Sequence, residues 1–483
     1  MSLPEQFSEL VKQHLHDDVQ QLALQRNRFP QLSDADFRFL LQQIEGRQRT
    51  CEKLPILSAL PDWWFPVRLS CEQCSSEATA RYKVQIISPF TLDLSPFTFI
   101  DLTAGYGIDT FHLAALAREA HYVERNADLC EIAAHNFQLY RPHIQVHNTT
   151  AETFLASLPH HPLAQRPLPN TQYPLPNSEA SNSPSGRPIS NSPSGRPIAA
   201  QAASNSSLER PIGGTPSHSP SGRPLPNSAA SHSPSGRPIT NSAASHTLIY
   251  LDPARRSQSG GKVFRIEDCE PNVIDLLPTL RKHAERIMIK FSPMLDITAA
   301  LRALGTDWDT HIVAVNNEVK EVLFLTGKGD IHAVNILSRE MHTDRFCFRP
   351  EDEKQAPLHL APAIQQYLYE PNAAIIKAGA YRLIAEQYGL AKLDVNTHLY
   401  TSDTCISGFP GRIWQVLDAE IKEPKKQLDK SVRYSILSRN YPLSPEEIRK
   451  KYKLRDGDEQ YLIAARHQGK PLLISAKRLM FSV

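Results

Sequence analysis

The stretch FIDLTAGYGIDTFHLAAL, beginning at Phe99, constrains this chain more than any other. An apolar pair runs into Asp101, a turn of small residues carries Gly105 and Gly107, and Ile108, Phe111 and Leu116 recur at helical spacing, which predicts strand, tight turn and helix. Glycine at 105 and 107 removes the Cβ atoms that would hold a ligand off the backbone, and a helix starting there points free amides into the same crevice. A nucleotide-like ligand is the expected occupant. The next apolar run ends in HYVERN, setting Glu124 beyond a second strand tip, where its two oxygens can accept both hydroxyl protons of a ribose.

A dinucleotide fingerprint would put a third glycine three residues after Gly107, but Thr110 stands there. That weakens a dehydrogenase reading. Asp101, four residues before Gly105, together with LIYLDPARR far downstream, resembles the S-adenosylmethionine-dependent methyltransferases of the Rossmann type. In that family the DxTAGxG form is common among enzymes acting on RNA or DNA, and Thr103 stands where many members have glycine. More narrowly, DLTAGYGIDT, VERN, LDPARR, KFSPMLD and YEPNAAIIKAGA together look like a bacterial family of methyltransferases ending in a ferredoxin-like piece and a THUMP-like domain. The resemblance covers nearly everything outside one long insertion. It implies S-adenosyl-L-methionine as cofactor, held by Asp101, Thr103, Ala104, Gly105, Gly107, Glu124, Thr150 and Ala151. Many members carry an Asp near position 150 for the adenine amino group; here Asn148, Thr149 and Thr150 leave that contact to the Thr150 side chain or the Ala151 amide.

The implied architecture is α/β: a Rossmann-type methyltransferase sheet with an N-terminal helical region, a long disordered insertion and a smaller α+β C-terminal module. Residues 1–75 are the expected helical region, in which Phe7, Leu10, Val11 and Leu15 form one stripe and Gly46 interrupts or ends a second helix. Residues 76–345 are the expected methyltransferase domain, 365–410 the ferredoxin-like piece with a helix and strand unit of its own, and 411–483 the THUMP-like domain. From 158 to 247 the character changes: SPSGRP occurs four times, at Ser183, Ser192, Ser219 and Ser233, with almost no aliphatic content. Such a segment cannot bury enough surface to offset a chain entropy of ~1–2 kcal/mol per residue, so disorder with local polyproline character is expected, and deleting 165–240 should leave cofactor binding intact.

Composition narrows the partners. The 483 residues are 41% hydrophobic, nowhere contain 18 consecutive apolar residues, and begin with a charged stretch lacking an apolar h-region, so a soluble, cytoplasmic protein without membrane contact is expected. Seven cysteines, an odd number, do not form a disulfide framework, and the CxxC of Cys71 and Cys74 has no second pair or nearby histidine, so no metal is expected. Net charge is +2, but Gly411 to Val483 carries 16 Lys and Arg against 9 Asp and Glu, and the repeat insertion six Arg against two Glu, which leaves −9 on the rest. A basic terminal module on an acidic body suits a polyanion, and structured RNA is the expected partner.

At the crevice, Asp252 and Pro253 stand where the resemblance puts the acceptor, with Arg255 beside them. Asp252 can accept a proton or orient an amine, although the aromatic that often follows such a motif is replaced by Ala254 and Arg255. Arg255 and Arg256 either hold a phosphate or pair with Glu267 and Asp268. Ser76, Glu77, Lys290 and Ser292 are further substrate-side candidates; helix capping accounts equally for the first two, a buried salt bridge and a turn for the others. Carbon methylation would need a cysteine nucleophile, and Cys269 has neither a Pro-Cys setting nor a partner base. The leading expectation is methyl transfer to a base nitrogen of structured RNA (rRNA or tRNA). The alternatives are a small-molecule or protein methyltransferase and a non-catalytic RNA-binding protein that retains the pocket.

Overall fold

The computed structural model describes residues 3–93, 97–158, 246–255, 266–338 and 342–480. Apart from its first and last residues, the SPSGRP insertion lies outside them. None of the described helices is long and apolar enough to cross a membrane.

The N-terminal helices grip the glycine turn. The helix Asp34–Thr50 starts at a capping box in which the Ser33 hydroxyl accepts the Asp36 amide and the Asp36 carboxylate takes the Ser33 amide. It runs through Gly46 rather than ending there, because glycine is needed for packing: a Cβ at 46 would lie 2.3 Å from Cβ of Phe65. Phe65 and Trp63, fully buried, then share one apolar cluster with Phe99, Tyr106, Phe111, Tyr122 and Phe137. Trp63 Nε1 donates to the Tyr106 hydroxyl at 2.6 Å, and the Asn136 amide clasps the Trp64 backbone at 2.7 and 3.0 Å.

The main sheet has nine strands. In chain order they include β1 (Phe97–Asp101), β2 (Glu119–Glu124), β3 (Ile144–Asn148) and β4 (His246–Leu251), followed by a two-strand ribbon of β5 (Ala254–Arg255) and β6 (Cys269–Glu270) that is not part of the sheet. Then come β7 (Arg286–Phe291), β8 (Trp308–Val315), β9 (Glu318–Thr326), β10 (Ile331–Leu337) and β11 (His342–Phe348). The sheet order is β11-β10-β8-β9-β7-β4-β1-β2-β3. β3, β2, β1, β4 and β7 are mutually parallel, whereas β9 enters antiparallel between β7 and β8. Asn316 and Asn317, at φ +50° and +67°, close the β8–β9 hairpin, a conformation Asn tolerates better than most residues. The paired-strand reading of this segment holds; β10 and β11, which extend the sheet beyond it, were not read from the sequence. Alternate residues of the central strands fall in two different cores: Phe99, Tyr122 and Leu248 in one, Ile100, Val123 and Ile249 in the other. Burial on both faces explains why these strands read as continuous apolar runs.

The C-terminal residues form a second, eight-stranded sheet of β12 (Tyr367–Pro371), β13 (Ala391–Asp394), β14 (Thr397–Ser402), β15 (Gly411–Asp418), β16 (Arg433–Arg439), β17 (Arg455–Asp456), β18 (Gln460–His467) and β19 (Lys470–Leu479). β12 pairs with β15 from Tyr367↔Gln415 to Pro371↔Gly411, so residues before and after 411 share one sheet. Glu370 on β12, almost fully buried, meets Arg439 on β16 at 2.5 Å and Arg412 at 3.7 Å. The helix Ala373–Ala378 packs against β8, β9 and β10, where Ile375 joins Ile312, Ala333 and Phe346, and its first amide donates to Asn317 Oδ1 at 2.8 Å. The module is thereby locked to the far half of the nine-stranded sheet.

Candidate active site

β1 delivers Asp101, and the turn that follows is pinned from β2. Ala104 N donates to Val123 O at 3.1 Å, Gly105 N to Glu124 Oε2 at 2.9 Å, and the Tyr122 hydroxyl to Gly105 O at 2.5 Å. Gly105 and Gly107 both have left-handed φ, +54° and +84°. They serve different needs. At Gly105 a Cβ would meet nothing within 4 Å, so its missing side chain opens onto the cavity. At Gly107 a Cβ would come within 2.8 Å of Phe137 and 3.1 Å of Tyr122, so packing of helix on strand, not ligand approach, requires glycine there.

The turn borders a cavity of about 780 Å³ at the carboxyl ends of the parallel strands. On its β2/β3 side lie Gly105, Glu124, Thr150 and Ala151; on its β4/β7 side lie Asp252, Pro253, Lys290 and Ser292, with Asp101, Thr103, Ala104 and Gly107 between them. Glu124 Oε1 accepts the Asn126 amide at 2.8 Å, so each oxygen holds one backbone amide and keeps a further lone pair. The Thr150 hydroxyl caps the helix Ala151–Ser157 by accepting the Thr153 amide at 3.2 Å. The Asp101 carboxylate accepts the Thr110 hydroxyl at 2.6 Å and the Thr103 amide at 3.2 Å. Burial pushes it up to about 8 against the pull of those two bonds. Thr110, where a third glycine was absent, thus serves as the partner of Asp101.

Several candidates fall elsewhere. Ser76 and Glu77 are off the cavity wall: the Ser76 hydroxyl accepts the Thr79 amide at 3.2 Å, and Glu77 Oε1 takes the amides of Ile56 and Leu57 at 2.8 Å each, capping the helix Pro55–Ala59. Their neighbour Ser75 lines the cavity instead. Arg255 joins the ribbon through its backbone pairing with Cys269, while its side chain and Arg256 lie outside what is described. Cys269 is fully buried in the core with Ile100 and Leu251, which removes it as a nucleophile toward the cavity. Cys71 is buried and its thiol pushed up to about 12, first by burial and then by Cys74.

Behind Asp252 lies a polar network that sequence reasoning missed except for Lys290. Lys290 Nζ reaches Asp252 Oδ2 at 2.5 Å, Ser75 Oγ at 3.1 Å and Asp109 Oδ2 at 3.8 Å. Asp109 in turn accepts the Tyr250 hydroxyl at 2.6 Å and the Ser75 hydroxyl at 2.7 Å, and pairs with Lys83 at 3.1 Å. Lys83, wholly buried, also meets Glu321 at 2.8 Å. Burial alone would raise Asp109, but the ammonium groups of Lys83 and Lys290 overcome it and hold it low. Burial likewise opposes charge on Lys290, yet Asp252, Asp109 and Glu321 raise it. Beside Lys290, the trace of this network in the sequence is Lys83, a charge amid the apolar residues of ARYKVQII.

The chain is 26% identical to a protein from Porphyromonas gingivalis W83, provisionally described as a methyltransferase, whose crystal structure superposes with a TM-score of 0.71 over 98% of both chains. The fold is that of a Rossmann-type methyltransferase. The cavity opens between β1 and β4, where the strand order of that fold reverses. A ferredoxin-like domain family matches residues 367–410 and a THUMP domain-like family residues 411–478. Two proteins from Mycobacterium tuberculosis, strains CDC 1551 / Oshkosh and ATCC 25618 / H37Rv, both named uncharacterized S-adenosylmethionine-dependent methyltransferases, are 24% identical over 218 residues. Those residues make up 43% of this chain and 57% of each relative, so the chain spans a little over half the length of the curated relatives it matches.

Proposed function

We propose that this protein is an S-adenosylmethionine-dependent methyltransferase that modifies a base nitrogen of structured RNA. The observation that carries the reading is one cavity with an open glycine and a hydroxyl-accepting carboxylate, Gly105 and Glu124, on one side and the Asp252 carboxylate on the other. These residues fit the cofactor: the Cβ-free side of Gly105 admits an adenosyl group, the remaining lone pairs of Glu124 suit ribose hydroxyls, and Thr150 and Ala151 border the adenine side. When bound, the cofactor supplies an electrophilic methyl group on a sulfonium leaving group. The chain's own residues supply alignment and a destination for the acceptor's proton. Thr103 Oγ1 accepts the Asp252 amide hydrogen at 2.5 Å, which fixes the backbone of the acceptor-side tip, and Pro253 has no amide hydrogen. The tip therefore offers hydrogen-bond acceptors, suited to an amine bearing N–H.

RNA is supported by the THUMP domain-like match and by charge. Lys450, Lys451 and Lys453, at the end of the helix Pro445–Tyr452, are all exposed, in a module with net charge +7. The test is incubation of the full-length protein with labelled cofactor and total RNA from cells lacking its gene, followed by mapping of the modified nucleotide. Label in RNA, lost on Asp252→Ala with sinefungin binding retained, is expected. Label only in protein or small-molecule fractions would refute the RNA assignment, and no binding of sinefungin by folded protein would refute the enzyme.

A further inference from the structure

The network behind Asp252 supports a step that rests on the reading above and deepens it. We infer that Lys290 is a positioning residue, which holds Oδ2 of Asp252 from behind so that Oδ1 faces the cavity and meets the acceptor's N–H. Lys290 borders the cavity beside Asp252 but its side chain is only 10% exposed, so its part is to fix the more open group next to it.

The geometry is over-determined. Lys290 is the penultimate residue of β7, beside β4, and its side chain is 10% exposed whereas that of Asp252 is 37% exposed, so the pair has one dry side and one side open to the cavity. A lone ammonium buried this deeply is strongly disfavoured, and a single carboxylate with a solvent-facing side compensates it poorly. Asp109 provides the second anion at 3.8 Å, and Ser75 accepts a Lys290 hydrogen at 3.1 Å. Asp109 is itself fixed by Tyr250 from β4 and by Lys83 from the helix Glu77–Asp93, and Glu321 from β9 closes the far side of Lys83. Three places distant in sequence, at Ser75, Asp109 and Asp252, thus meet one ammonium, and Tyr250 and Lys83 in turn hold Asp109, which leaves that ammonium little room to move. The raised proton affinity of Lys290 agrees with a fixed cation and excludes it as the proton's destination. In the transfer step the lone pair of the acceptor nitrogen would form the new bond to the methyl carbon as the C–S bond breaks with its electron pair kept by the departing thioether; the N–H electron pair stays on nitrogen, and the proton goes to Oδ1 of Asp252, from which the open side leads to solvent.

The test is a double-mutant cycle in the full-length protein with Lys290→Met and Asp252→Asn, plus Lys290→Arg as the conservative variant. With labelled cofactor and RNA from cells lacking the gene, Lys290→Met is expected to lower kcat by about 10–100-fold, the scale for misplacing a catalytic group by an ångström, while the affinity for sinefungin changes less than twofold. Lys290→Arg should recover part of the loss. In the Asp252→Asn background, Lys290→Met should change kcat less than twofold, because a residue acting through Asp252 has nothing left to act on. Full additivity of the two losses, or a sinefungin affinity that falls as far as kcat, would overturn the inference. The same cycle read on urea midpoints needs no acceptor: non-additive midpoints support the pair and additive ones sink it, even if the methyltransferase reading fails for lack of sinefungin binding.

Discussion

Gly105 and Gly107 are two residues apart, share a left-handed backbone and look alike in the sequence, yet replacing each with alanine should fail in a different way. Gly107→Ala carries two costs. A Cβ in the left-handed region costs about 1–2 kcal/mol, and one placed 2.8 Å from Phe137 and 3.1 Å from Tyr122 overpacks a core in which both rings are almost fully buried, adding typically about 1–3 kcal/mol. The expected loss of stability is therefore about 2–5 kcal/mol. Gly105→Ala carries only the first cost, about 1–2 kcal/mol, because nothing lies within 4 Å of its added Cβ. That methyl group enters the cavity, so Gly105→Ala should instead weaken sinefungin at least about tenfold, equivalent to about 1.4 kcal/mol. Urea denaturation of both variants alongside calorimetric titration with sinefungin separates the two effects. Equal midpoints for Gly107→Ala and the parent protein, or a larger midpoint loss in Gly105→Ala than in Gly107→Ala, would refute the division of labour.

Other expectations follow from buried charge. Lys83→Met leaves Asp109 and Glu321 without their shared cation and should destabilise by about 3–5 kcal/mol, measured by chemical denaturation; a loss below about 1 kcal/mol would contradict the buried network. Asp101 has its folded-state value raised to about 8, so its contribution to stability is fully present below the unfolded carboxylate range near 4 and is lost as pH rises through 8. The midpoint of the parent protein should accordingly fall relative to Asp101→Asn between pH 5 and 8, and parallel pH curves would count against a protonated Asp101. Arg439→Ala, which strips the buried Glu370 of its nearer partner, should cost about 1–3 kcal/mol after allowance for the exposed side of the pair; because β12 and β16 belong to one sheet, the C-terminal module should still unfold in a single transition. Charge reversal of Lys450, Lys451 and Lys453 to Glu should weaken RNA binding and flatten its salt dependence without moving the sinefungin affinity, as a gel-shift series in rising salt would show.

Several features could be read from residues alone because their causes are local. The order of apolar runs and turns around Asp101, Glu124, Thr150 and Asp252 announced parallel strands with polar tips, and the charge of the last module stands in its composition. Local patterns also misled where one residue type serves two needs. Gly46 reads as interrupting or ending a helix but lies mid-helix under Phe65, and Glu77, which reads equally as a site carboxylate or a cap in its own first turn, caps the helix Pro55–Ala59. The β10 and β11 strands and the pairing of β12 with β15 depend on sheet edges that meet only after the chain has folded.

What the sequence by itself determined is which backbone positions form the crevice, since strand period, glycine placement and turn chemistry act over a few residues. What only the tertiary structure decided is the electrostatics behind it. Lys83, Asp109, Lys290 and Glu321 come from segments up to 238 residues apart, and no single segment shows that two ammonium groups and the carboxylates around them will share one desolvated site. Charge in a low-dielectric interior interacts strongly over a few ångströms and is indifferent to distance along the chain, so its pairing is set by the packing of the whole sheet.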